Sequence, residues 1–326
     1  MDFFDYLYLF GGLSLFLFGM KFLSSEMQSR ADERLKNTLL IVSGSKYKGF
    51  LFGVLSTALI QSSSAVTAMM TDFAGAGILP VENTVGIIIG SNVGTTVTAW
   101  LIGAAGINAS IPFFSFLKPA AIASLFSIIG IIFYNTGIKN DKRKNTGSIL
   151  FGFSMIMYGL YFMSESAQEL KSEEWAMNLF SHLSSPLAGF AAGAAVTAIV
   201  QSSSVSVGIL QAVSVTGAFT LNDCVPIILG QNVGACSAAL IASVSNGRES
   251  KAAAMIHLYF NIFSSFLFYV LLRVLLHFFD IDVFYRDADS INIALIHTLF
   301  NVFAAAVMLP LSSPLQKAAV KSVKMY

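Results

Sequence analysis

Two short polar tetrads interrupt an otherwise apolar chain: Gln61-Ser62-Ser63-Ser64 and Gln201-Ser202-Ser203-Ser204, 140 residues apart. Hydroxyls and amides donate hydrogen bonds without carrying charge, so six serines and two glutamines brought together would suit an anion. In an apolar medium, each such group left unpaired costs on the order of several kcal/mol. A serine also stops one helix and N-caps the next. The helix that follows offers free backbone N–H groups and the positive end of its dipole. Two such ends facing each other make an anion site that needs no cationic side chain, and residues 49–79 and 187–219 hold no Arg or Lys. An anion held this way is released readily. Its charge is left for accompanying cations, and sodium suits the hydroxyl and carbonyl oxygens of broken helix ends. The plainer alternative is a pair of serine tips that only cap packed helices.

A second polar element supports the functional reading. Gly90-Ser91-Asn92-Val93-Gly94-Thr95-Thr96 recurs at the same spacing as Gly230-Gln231-Asn232-Val233-Gly234-Ala235-Cys236. Glycines around an Asn either break a membrane helix and expose carbonyls or let two helices pack closely. The 140-residue offset also pairs Gly19 with Gly159, Gly53 with Gly193, Thr57 with Thr197 and Gly77 with Gly217. The chain is an internal duplication.

What must position these tetrads is a membrane fold. Of the 326 residues, 55% are hydrophobic and 11% charged, far below the ~25% charge of soluble domains. Charges gather in 30–48 and 139–144 and are nearly absent from 49–71, 84–107 and 187–221. Spans are expected at about 6–27, 84–105 and 117–136, then 147–164, 223–245 and 252–276, with a last span at about 291–311. Each tetrad divides an apolar stretch into arms over 49–60 and 65–79, or 187–200 and 205–219. A spanning helix needs about 20 residues, so these arms suit a re-entrant hairpin.

Three crossings per half invert the second half relative to the first. The expected fold is therefore an all-α membrane protein of two inverted repeats, 1–140 and 141–276. Each has a re-entrant hairpin and three spans, and 277–326 adds one span and a tail.

Basic residues give the orientation. Loops 28–48, 137–146 and 246–251 with the tail after 312 hold fourteen Lys and Arg, whereas 106–116, 165–186 and 277–290 hold only Lys171 and Arg286. The positive-inside rule then puts the N-terminus outside the cell membrane and the C-terminus in the cytoplasm. The opening MDFFDYLYLF has neither a basic n-region nor a cleavage site, so the first span is expected to be retained.

Other polar residues carry weaker signals. Cys224 and Cys236 form no disulfide or metal pattern and read as packing. Asp72 sits on the first return arm and is either a cation ligand or a carboxylate in a watered vestibule. His257 and His297 are expected to bond between helices, and Lys21 to reach toward the interface. The apolar stretches hold no nucleophile with a base, which argues against an enzyme. No feature points to nucleic acid.

The paired Gln-Ser-Ser-Ser tetrads, each followed by Gly-x-Asn-Val-Gly, resemble the type II sodium–phosphate cotransporter family over about residues 8–310. The resemblance implies a secondary transporter with phosphate at Gln61, Ser62, Ser63, Ser64, Gln201, Ser202, Ser203 and Ser204. It also implies coupling sodium ions near Thr57, Thr67, Asn92, Thr95, Thr96, Thr197 and Asn232, and no cofactor beyond them. The sequence departs from the family pattern where Ala235-Cys236 replaces a threonine-containing pair. A His-x-x-Phe-Asn element stands at His257–Asn261 and His297–Asn301 but is missing at Leu117–Ala121. No additional sodium is expected there. Further implied partners are the bilayer, a second copy in a homodimer, and a cytoplasmic phosphate-regulator domain or protein, since bacterial relatives often continue into one.

Overall fold

The computed structural model describes residues 1–42, 44–105, 119–137 and 141–324, with side chains described except at 29–42, 105, 119 and 324. Among the described residues, regular structure is helical throughout, apart from one isolated bridge between Thr220 and Asp287. The first half contains α1 (Phe3–Val42), α2 (Lys46–Ile60), α3 (Ser63–Gly75), α4 (Val81–Ala105) and α5 (Pro119–Thr136). The second contains α6 (Asp141–Glu169), α7 (Glu174–Leu183), α8 (Pro186–Val200), α9 (Ser203–Ser214), α10 (Leu221–Gly234), α11 (Cys236–Ser243) and α12 (Gly247–Phe278). Then come α13 (Ser290–Met308) and α14 (Ser312–Lys324). Helices α1, α4, α6, α12 and α13, and α10 with α11 taken together, are long and apolar enough to cross a bilayer. This is a multi-pass membrane protein. The expected span at 117–136 begins outside the described residues and is seen as α5.

Each tetrad lies between two helices too short to span: 15 and 13 residues in the first half, 15 and 12 in the second. The arms before the tetrads, α2 and α8, pack on α4 and α10. Both contacts rest on glycine. A Cβ on Gly90 would stand 2.0 Å from the Phe50 carbonyl oxygen, and one on Gly230 would stand 2.0 Å from that of Phe190. Only a residue without a side chain allows backbone to meet backbone there. Helix association in lipid relies on such close van der Waals packing.

The first spans of the two halves, α1 and α6, also pack on each other. Gly12 lies against Gly159 and Gly19 against Ile156, so the two helices run antiparallel. Helix α5 packs on α6, while α12 packs on α3, α13 and α14.

Three expectations change. The first helix continues past residue 27 to Val42 rather than ending in a loop. Expected loops at 165–186 and after 312 contain α7 and α14, each with residues of one face buried (Ala176 and Phe180; Leu315 and Ala319). The first Gly-x-Asn-Val-Gly does not break its helix, because α4 runs through it. Its glycines serve the contact with α2 instead. The second copy is interrupted one residue later, at Ala235.

Candidate functional site

The tetrads form the same local structure twice. Gln61 ends α2 in the left-handed conformation at φ 59°, and Gln201 ends α8 at φ 56°. They are the two non-glycine residues with positive φ among those described. Their backbone N–H groups donate to the Thr57 and Thr197 carbonyls, both at 2.7 Å. This closes the arm in the manner usually served by Gly or Asn. The next residue then caps the returning helix. Ser62 Oγ accepts from the Ala65 N–H at 3.2 Å, and Ser202 Oγ from the Val205 N–H at 3.4 Å.

The two tips meet. Ser63 Oγ lies 3.4 Å from Ser203 Oγ, and Ser64 Oγ donates to the Gln201 carbonyl at 2.8 Å. The N-terminal ends of α3 and α9 are thus brought together with buried Ser63 and Ser203 at their first positions. Both dipoles present their positive ends at one place, where an anion is favoured.

The remaining tetrad residues differ between halves. Ser204 is buried. Gln61 is buried and turned sideways: its amide donates to the Ala58 carbonyl, and its Oε1 accepts from Thr98 Oγ1 at 2.8 Å. Gln201 is exposed.

The residues expected near sodium fall into two groups. Thr57 and Thr197 are buried with hydroxyl oxygens that find no partner, each beside the second glycine of a Gly-x-Asn-Val-Gly element, Gly94 or Gly234. A buried hydroxyl without a partner costs about 1–3 kcal/mol, and these two oxygens share that condition with buried groups elsewhere in the protein, Ser206 and Ser250 among them. The others spend their donors on their own helices. Thr67 donates to the Ser63 carbonyl at 3.0 Å, Thr95 to Ser91 at 3.0 Å and Thr96 to Val93 at 2.7 Å. Asn92 and Asn232 donate to Ile88 and Ile228 at 3.3 and 2.8 Å.

Two contributors, Thr98 and Gln211, escaped the sequence reading. Thr98 holds Gln61 and lies four residues after Gly94, hence on the same face of α4. Gln211 on α9 is buried and donates to the Ala99 and Ser290 carbonyls at 3.1 and 2.7 Å. It fastens the C-terminal part of α9 to α4 and α13. On the first return arm, Asp72 accepts from Asn246 at 2.7 Å. Cys236, at the position matching Thr96 of the first repeat, accepts from Asn261 at 3.3 Å. His257 and His297, expected to bond between helices, have no hydrogen-bond partner on either ring nitrogen.

A family profile described as Na+/Pi-cotransporter matches residues 15–165 and again 155–300. The chain belongs to that family. As a member of the Na+/Pi-cotransporter family, it is related to transporters rather than enzymes. It is 29% identical over 299 residues to "Uncharacterized protein YqeW" of Bacillus subtilis, covering 91% of this chain and 92% of that protein. It is 22% identical over 313 residues to the "Putative inorganic phosphate export protein YjbB" of Escherichia coli K12, covering 95% of this chain and 54% of that protein. A shorter stretch of 148 residues is 31% identical to human "Sodium-dependent phosphate transport protein 2B", covering 39% of this chain and 21% of that protein. The chain thus spans nearly all of the first relative and about half of the second. No solved structure matches.

Proposed function

We propose that this protein is a secondary active transporter that couples movement of inorganic phosphate to a sodium gradient. In this reading, the first and second repeats (1–140 and 141–276) enter the membrane with opposite orientation, and 277–326 adds the last span and tail. The two hairpins are re-entrant and bring their tips together near the bilayer midplane. The N-terminus faces outside the plasma membrane and the C-terminus the cytoplasm. Antiparallel packing of α1 on α6, the equivalent helices of the two halves, supports the inversion.

The observation that carries the proposal is the meeting of Ser63 and Ser203 at the facing ends of α3 and α9. Phosphate would take its hydrogen bonds from Gln61 to Ser64, from Gln201 to Ser204, and from the free N–H groups of the two helix ends. The 3.4 Å separation leaves no room for an oxyanion between the two hydroxyls. In this reading the tips part to take phosphate between them, and its oxygens then replace the Ser63–Ser203 and Ser64–Gln201 contacts. A site that closes on itself and reopens around its ligand suits alternating access. Sodium would use the oxygens near the tips, with Thr57 and Thr197 the best supported because their hydroxyls have no other partner. Thr67, Asn92, Thr95, Thr96 and Asn232 would contribute after a local rearrangement.

Uptake of labelled phosphate into proteoliposomes, with and without an inward sodium gradient, tests this reading. Uptake that depends on sodium is expected. Equal uptake with choline would reject sodium coupling, and calorimetric binding without uptake would make the protein a phosphate sensor. Competition by sulfate, arsenate and succinate distinguishes phosphate from other anions.

A further inference from the structure

We propose that α14 is a docking surface for acidic phospholipid headgroups, fastened to the base of the first hairpin. Its buried residues, Leu315 and Ala319, are four positions apart and face the body of the protein, where α14 packs on α12 and α4. Lys317 and Lys321 are also four apart but exposed, on the opposite side. The helix is therefore amphipathic, with its apolar side already occupied and its basic side free.

Two hydrogen-bonded links tie it to the first half. Lys46, the first residue of α2, donates to the Leu309 carbonyl at 3.3 Å and to Ser312 Oγ at 3.2 Å. Gln316 donates to Glu82, in the first turn of α4, at 2.8 Å. These links gather the beginnings of α2, α4 and α14 at one end of the bundle, and the contacts of Asn246 with Asp72 and Gly75, near the end of α3 and just ahead of α4, bring the start of α12 to the same end. Exposed Lys48 at the start of α2 and exposed Arg248 and Lys251 at the start of α12 extend the basic surface. Among the described residues, the acids on the elements gathered there are three, Glu82, Asp72 and Glu249, all exposed, the first two bonded to Gln316 and Asn246, against the six basic residues Lys46, Lys48, Arg248, Lys251, Lys317 and Lys321. Positive charge dominates.

The geometry favours a lipid surface over a small ion. Lys317 and Lys321 are exposed on the outer side of a helix, where a free phosphate ion would keep most of its water. Lysines along the polar side of an amphipathic helix next to a span are suited to a plane of anionic headgroups. The proposal does not depend on what the transporter carries, and its test measures binding without transport.

The test uses the purified full chain in neutral detergent and follows its thermal midpoint. Phosphatidylglycerol, phosphatidylcholine of the same acyl chains, and inorganic phosphate are each titrated. Phosphatidylglycerol alone is expected to raise the midpoint saturably. In the double variant Lys317→Gln/Lys321→Gln, the phosphatidylglycerol needed for half the effect should rise about thirtyfold. Lys317→Arg/Lys321→Arg should keep the parental response. Equal midpoints of parent and variants in phosphatidylcholine show that the substitutions leave the fold intact. The proposal fails if the Gln variant responds like the parent, or if phosphatidylcholine or inorganic phosphate gives the same shift. It also fails if no lipid shifts the parent, which would leave the surface to a soluble acidic partner.

Discussion

Ser63 and Ser203 occupy equivalent positions of the duplicated halves, and their hydroxyl oxygens lie 3.4 Å apart. The flanks are less alike: Ser64 donates to the Gln201 carbonyl, and Gln61 is buried and bonded to Thr98 while Gln201 is exposed.

Removing either hydroxyl should abolish transport without unfolding the protein. Ser63→Ala and Ser203→Ala each delete one weak neutral hydrogen bond, which costs stability only about 0.5–1.5 kcal/mol. Phosphate uptake should nevertheless fall by at least about tenfold in each, since a hydrogen bond to a charged ligand contributes roughly 1.5–3 kcal/mol. The double variant should be little worse than either single one, because the serines act on the same ion. Wild-type uptake in both single variants would remove them from the site.

The hairpin packing makes a prediction about stability alone. Gly90→Ala places a methyl 2.0 Å from the Phe50 carbonyl oxygen, and Gly230→Ala does the same against Phe190. Neither backbone can yield without pushing α2 from α4 or α8 from α10. Each change should cost at least the upper part of the ~1–3 kcal/mol typical of overpacking. Gly77→Ala meets open space but keeps φ at 69°, so its cost should be smaller, about 1–2 kcal/mol of left-handed strain. Thermal midpoints in detergent rank the three, and an indifferent Gly90→Ala would contradict the α2–α4 contact.

These contacts also show what the sequence could and could not convey. The repeat, the short arms and the serine caps were legible because each rests on spacing or local chemistry. The unbroken course of α4 was not, since Gly90 and Gly94 fit a broken helix as well as a packed one. The decision came from α2 lying against that face. Gln61 and Gln201 were legible as polar tip residues, but their left-handed backbone was not, because Gln is an uncommon choice there. Thr98 looked like any apolar-span threonine, and only the fold brings it to Gln61. The amphipathic α14 was hidden in what read as a basic tail.

Thr57 and Thr197 give a prediction in which stability and function move apart. Each hydroxyl oxygen is buried and unpartnered, so Thr57→Val and Thr197→Val remove an unsatisfied group while keeping the shape of the side chain. The fold should be unchanged or up to about 1 kcal/mol more stable. If the oxygens coordinate sodium, the sodium concentration for half-maximal uptake should rise about tenfold in each variant, the loss of roughly 1.4 kcal/mol of ion binding. A stabilised variant with unaltered sodium dependence would show that the hydroxyls only fill space.

The proposed orientation can be read by labelling, because the native thiols do not interfere. Cys224 and Cys236 are free and fully buried, so an impermeant maleimide should leave the parent protein unlabelled in intact cells. Lys171→Cys lies in the exposed segment before α7, and Lys142→Cys in the exposed first turn of α6. Helix α6 lies between them and is long and apolar enough to cross the bilayer, so the two positions belong on opposite sides. With the N-terminus outside, α1 brings the chain in, α4 takes it out and α5 returns it. Position 142 then faces the cytoplasm and position 171 the exterior. Lys171→Cys should be labelled in intact cells and Lys142→Cys only after permeabilisation. The reverse pattern would invert the assigned topology, and equal labelling of both in intact cells would contradict α6 as a span.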